Sequence, residues 1–272
     1  MYNEPLLFFG TGVSAAKDYD GLLSVCSVAI ENGILAFDTA PSYKTEKILG
    51  EVFSSICSKQ GLKRSDLFLQ TKIDPLQMIT GEEGIKSHIY NILDDLHTDY
   101  LDGLLVHWPL PEYIEETWKT MLKLKKEGIV KKVGICNIRK RQLIKITESE
   151  KPDMIQIERN PLRTCSDEID FCHSEGIVVQ AYSPLCKMHS DLKYSKLLAN
   201  LSDKYERDIG EIVLRWHLDT GVIPIFTSKN TSRIEQYSAI FDFKLEKDDI
   251  EQITAMNKNF KMYLESWLCP GF

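Results

Sequence analysis

Short apolar runs punctuate this chain at regular intervals, at residues 6–9, 34–37, 67–70, 101–106, 130–135, 154–157, 177–181 and 222–225. Each is of strand length and nearly continuous in apolar character, the pattern of strands covered on both faces. The intervening stretches carry apolar residues at helical spacing: Leu22, Val25 and Ala29, then Ile85, Ile89, Ile92 and Leu96, then Trp118, Leu122 and Leu124. Helix and strand alternate to the end with no Pro-rich linker, charge block or low-complexity tract between them. The chain therefore predicts one α/β domain over residues 1–272.

Eight strands in this length give about 34 residues per unit, which suits a (β/α)8 TIM barrel of about 250 residues. A doubly wound open sheet is the alternative, because periodicity does not reveal whether the last strand pairs with the first. In both architectures functional residues cluster just beyond the C-terminal ends of the strands.

The first strand runs into Gly10-Thr11-Gly12-Val13-Ser14-Ala15, which fits a G-x-G-x-x-G/A dinucleotide fingerprint, with Asp38 as the ribose-binding acid beyond the second strand. Against that alternative, a fingerprint helix starts within the glycines, so that its N-terminus meets pyrophosphate. Here helical period begins only at Leu22.

The second strand ends at Asp38, with Tyr43 shortly after; the third ends at Lys72 and the fourth at His107. Each has an ordinary reading alone: a cap, a lysine reaching solvent, a hydrogen-bonded histidine. Together they converge on one cleft. A phenol is a poor proton donor at neutral pH, and a nearby ammonium that stabilises phenolate lowers its pKa. An aspartate keeps that ammonium charged and oriented, and a histidine polarises a carbonyl oxygen. Such a set protonates a carbonyl oxygen as hydride reaches carbon.

The charge balance, 33 basic against 40 acidic side chains, offers no electrostatic footprint for nucleic acid. No run of 18 apolar residues or secretory leader is visible, and the seven scattered cysteines read as reduced thiols of a cytoplasmic protein. The six histidines form no His-x-His cluster, so no metal site is expected.

In order and spacing, the chain resembles the aldo-keto reductase family, and specifically its bacterial-type members with short loops. The resemblance rests on Gly10-Thr11-Gly12, Phe37-Asp38-Thr39-Ala40 with Tyr43 and Glu46, Thr71-Lys72, His107-Trp108-Pro109, Gly134-Ile135-Cys136-Asn137, Ala181-Tyr182-Ser183-Pro184-Leu185 and Leu214-Arg215-Trp216. It implies a barrel that binds NADP(H) in extended form and acts as a monomer on a small carbonyl compound or keto-sugar. Tyr43 would be the general acid, Lys72 its pKa-lowering partner, Asp38 the partner of Lys72, and His107 the group that orients the carbonyl. Gly10, Thr11 and Gly12 match the opening turn. Cys136, Asn137 and Gln156 match the nicotinamide carboxamide site, and Tyr182, with Ser183 and Leu185, the stacking platform. Thr227, Ser228, Lys229 and Arg233 match the loop for the adenosine 2′-phosphate, with Gln236 at the adenine edge. Trp108 and Trp267, with Phe260 and Phe272, would wall the substrate pocket.

The chain departs from that pattern at Lys44-Thr45, where Gly-Asn is usual, at Cys136 for Ser, and at Gln236-Tyr237 for Glu-Asn. Those departures keep open a catalytically silent, cofactor-sensing subunit on the same fold.

Overall fold

The computed structural model describes residues 5–12, 18–148 and 150–263. Its eight strands are β1 (Phe8–Gly10), β2 (Ala36–Asp38), β3 (Phe68–Ile73), β4 (Leu101–Val106), β5 (Val130–Cys136), β6 (Met154–Glu158), β7 (Val178–Tyr182) and β8 (Ile223–Phe226). All pair parallel in chain order, and the sheet closes through Phe8 opposite Ile225 and Phe9 opposite Phe226. The predicted barrel is what forms. Closure overturns the open-sheet alternative and, with it, the dinucleotide fingerprint read at Gly10 to Ala15. The helix after β1 starts only at Tyr19, where Asp18 caps it by accepting from the Gly21 amide at 2.8 Å. Ser14 and Ala15 lie outside the described residues.

Alternation along each strand divides the core into two shells. Outward residues such as Phe9, Phe37, Leu104 and Ile155 pack beneath helices that present Leu22, Leu49, Ile85 and Leu124. Inward residues Phe8, Ala36, Ile223 and Ile225 fill the barrel toward the strand beginnings. Above them the filling turns polar: Gln70, Gln156 and Gln180 are buried and bonded to one another.

No helix among the described residues is long and apolar enough to cross a membrane. Outside the barrel, the helix Glu46–Gln60 crosses the end of the helix Gly81–Asp95 at Gly50. A Cβ at that glycine would stand 2.1 Å from the Asp95 carbonyl oxygen, which is backbone and cannot swing aside. Gly50→Ala is therefore expected to lower stability by about 1–3 kcal/mol through overpacking. The check is a urea titration in which the midpoint falls while the slope stays that of the wild type.

Candidate active site

Lys72 lies in β3 with its side chain turned into the barrel and 0% exposed. An ammonium fully removed from water requires an opposite charge and further acceptors. Its Nζ donates to Asp38 Oδ2 at 2.7 Å and to the Thr39 carbonyl oxygen at 2.8 Å. Burial alone would favour neutral lysine, but the Asp38 carboxylate more than reverses that and holds the group firmly charged.

Asp38, the last residue of β2, is itself buried, and its other oxygen accepts from Gln70 Nε2 at 2.7 Å and Gln156 Nε2 at 3.0 Å. Thr11, just beyond β1, steadies the same strand end by donating its amide and hydroxyl to the Asp38 carbonyl.

Tyr43 closes the 3-10 turn Pro41–Tyr43 beyond β2, and Lys72 Nζ sits 5.3 Å from its ring centroid. The following residue, Lys44, takes φ +59, the left-handed region that glycine enters at less cost. On the far side Gly12 packs against the phenol; a Cβ there would meet the Tyr43 ring at 3.1 Å. Burial pushes the Tyr43 phenol up, and Lys72 pulls it back by charge and hydrogen bond without cancelling the rise. Burial and the Asp38 charge thus act on the phenol against Lys72. At neutral pH the phenol keeps its proton.

His107 follows β4, its ring perpendicular to that of Tyr43 at 6.1 Å. Asn137 Nδ2 holds the His107 carbonyl at 2.9 Å, and the ring Nδ1 is hydrogen-bonded to Asp74 Oδ1. Burial pushes Asp74 up, but the His107 and Ser42 hydrogen bonds outweigh it and hold the carboxyl below its ordinary value. An ionised carboxylate only accepts, so Nδ1 carries the proton.

The outer residues ring the same mouth. Asn137 and Ser183 adopt left-handed backbone at φ +58 and +49. Tyr182 donates its hydroxyl to Asn137 Oδ1 at 2.8 Å and meets Tyr263 edge-on. Cys136 is fully buried at the end of β5, and burial raises its thiol pKa. Leu185 is half-buried beyond β7. Trp108 lines a cleft with Asn137, Ile157, Glu158, Arg163 and Tyr182. Beyond β8, Thr227, Lys229 and Arg233 are exposed and Ser228 half-buried, at the start of the helix Thr231–Ser238; Thr227 also packs against Gly10.

Three of the expected positions have partners within the chain. Gln156 is buried below the mouth with its amide nitrogen on Asp38 and Gln180. Gln236 turns away to the helix Ile209–Asp219, donating to Asp208 and to Glu211 at 2.9 Å. Phe260 stacks on His189 at 4.8 Å. Trp267 and Phe272 lie outside the described residues. Sequence reasoning missed Asp74, Gln70 and Gln180. The glutamines had a signal, as polar residues interrupting apolar strands. Asp74-Pro75 carries only the ordinary signal of a helix start, since proline at the first helical position follows a capping residue.

The model of the Aldo/keto reductase family matches residues 7–258. The uncharacterized oxidoreductase YtbE of Bacillus subtilis is 33% identical over 94% of this chain and 90% of its own length. The glyoxal reductase of the same organism is 31% identical over 93% of this chain and 89% of its own. A Bombyx mori aldo-keto reductase solved in complex with NADP superimposes with a TM-score of 0.87, at 28% identity, covering 95% of this chain and 91% of that one.

Behind Lys72, Thr71 donates its hydroxyl to Glu46 at the start of the helix Glu46–Gln60. Burial raises the Glu46 carboxyl from 4.5 to about 7, against the pull of the Thr71 hydrogen bond. A carboxyl more basic in the fold than in the open chain contributes stability below pH 4.5, lost as pH rises through about 7. Glu46→Gln is expected to remove that decline, so the variant gains on the wild type between pH 5 and pH 8 in parallel urea titrations.

Proposed function

The chain belongs to the aldo/keto reductase family of oxidoreductases, and we propose that it reduces a small aldehyde or ketone to the alcohol with NADPH as hydride donor. The observation that carries this reading is the buried Lys72–Asp38 ion pair set beneath Tyr43, with His107 at the phenol's side. The glyoxal reductase of Bacillus subtilis and the methylglyoxal reductase DkgA of Escherichia coli, both about a third identical or slightly less, support a small carbonyl substrate.

The donor set beyond β8 fits a phosphate: hydroxyls of Thr227 and Ser228, the Lys229 ammonium and the Arg233 guanidinium, at the N-terminus of a helix. Neither cation has an ion-pair partner among the described residues. Asn137 and Tyr182 would border the nicotinamide, exchanging their mutual hydrogen bond for the ring and its carboxamide. Gln236 is left out of the set, its amide being held by Asp208 and Glu211.

When bound, the dinucleotide supplies hydride to the carbonyl carbon. Tyr43 gives its proton to the carbonyl oxygen, so the substrate gains H⁻ and H⁺ and the phenol is left as phenolate. Lys72 compensates that new charge, and Asp38 keeps Lys72 charged throughout. The phenol is protonated at rest, so the site holds a proton ready and becomes acidic only as negative charge builds on the oxygen. His107 borders the same oxygen.

Tyr43→Phe removes the transferable proton and keeps the ring. Reduction of a reactive test aldehyde is expected to fall about 10²–10⁴-fold, the usual scale of one general acid, while NADPH still binds by fluorescence titration. Retention of the wild-type rate would overturn the mechanism. A Lys229→Ala, Arg233→Ala double variant removes two charge-assisted contacts, each worth about 1.5–3 kcal/mol. It is expected to bind NADPH at least a hundredfold more weakly while affinity for NADH, which lacks the 2′-phosphate, stays within about threefold.

A further inference from the structure

Asp74 is the residue before the short helix Pro75–Met78 and has the extended backbone of a helix cap. A capping aspartate ordinarily accepts from the helix's own first amides. This one makes no such bond. Oδ2 accepts from the Ser42 amide at 2.9 Å, and Oδ1 takes His107 Nδ1. One carboxylate thus ties the turn that carries Tyr43 to the imidazole beside it. The His107 main chain is fixed independently by Asn137, and Asp74 makes the hydrogen bond to the ring among the described residues. The opposite ring nitrogen, Nε2, makes no hydrogen bond among the described residues, and the His107 side chain is 15% exposed.

We infer that Asp74 is a positioning residue that fixes the proton of neutral His107 on Nδ1, so that Nε2 meets the substrate oxygen as an acceptor when the ring is neutral and as a donor only when it is cationic. The inference rests on the proposed carbonyl reduction and deepens it. A carbonyl oxygen has lone pairs and no hydrogen, so it gains nothing from a bare Nε2 lone pair. An alcohol has a hydroxyl to donate and is accepted by that same lone pair. The pair Asp74–His107 therefore favours reduction when the ring holds two protons and alcohol oxidation when it holds one. Without the carboxylate, a neutral ring is free to place its proton on Nε2 and donate at any pH.

The charged and titratable groups around the pair are few. Tyr43 stands edge-on to the ring, and the Lys72–Asp38 pair lies beneath the phenol. Glu46, Cys136 and His88 each feel the Asp74 charge; His88, on the helix Gly81–Asp95, is held low by burial with Asp74 acting the other way.

The test uses full-length protein labelled with ¹⁵N-histidine, with Asp74→Leu and Asp74→Asn variants; a His107→Asn sample assigns the ring signals. At pH 9 the wild type is expected to show Nδ1–H and unprotonated Nε2 at His107. Asp74→Asn, whose amide oxygen still accepts, should keep that tautomer, and Asp74→Leu should shift it toward Nε2–H. In the reduction of a test aldehyde, wild-type kcat/KM should fall as pH rises from 6 to 9. Asp74→Leu should be about tenfold slower or more at pH 6 but nearly flat across that range. A merely structural role would lower the rate equally at every pH. Normalised profiles that superimpose, or an unchanged tautomer in Asp74→Leu, would overturn the inference. A wild type that reduces no aldehyde refutes the proposed function instead, and the ring spectra still decide the role of Asp74.

Discussion

The whole mouth of this barrel is arranged around an ammonium ion with no water to hydrate it. Removing Lys72 from solvent costs several kcal/mol even after relaxation, and each neighbour exists in answer to that cost. The cation requires the Asp38 carboxylate and the Thr39 carbonyl. The carboxylate, equally buried, requires the amides of Gln70 and Gln156. Those amides in turn bond Gln180, which returns a hydrogen to Gln70 Oε1. A half-satisfied network of this kind would be worse than an apolar core. Here a polar layer is drawn from three strands, and the ion pair rests on it as on a floor.

Tyr43 is placed by that chain of requirements rather than by its own interactions. It sits on a short turn whose next residue, Lys44, bears a left-handed backbone, and it is wedged between Gly12 and the side of Lys72. Strain of this sort persists only where the surroundings over-determine the position. The result is a phenol kept protonated by burial next to a cation that can stabilise its conjugate base, a combination suited to giving up a proton on demand.

Much of this could be read from residues alone because barrel strands leave a plain trace. All eight apolar runs became strands, with ends displaced by at most three residues, since burial on both faces demands near-continuous apolar sequence. The four residues Asp38, Tyr43, Lys72 and His107 were legible because the parallel barrel brings every strand end to one mouth. What escaped depends on contacts between strands distant in sequence. Asp74 looks like a cap until Ser42 and His107 are seen to claim its oxygens. Gln156 and Gln236 donate their amides to partners elsewhere in the chain that their sequence neighbours do not reveal. Desolvation of Tyr43, which acts on the phenol against Lys72, depends on packing that no sequence neighbour reveals.

Closure of the sheet joins the beginning of the chain to its end. β1 has only three residues, and it bonds to β8 through partners more than two hundred positions away while also carrying Gly10, Thr11 and Gly12 to the mouth. Contacts of such separation are entropically slow to form. During synthesis the first strand is made early but has no eighth strand to meet until nearly all the polypeptide has emerged. Six intervening strands and their helices can assemble in register beforehand. The ring of strands in this molecule is thus completed only when its two ends meet, well after its reactive side chains are made.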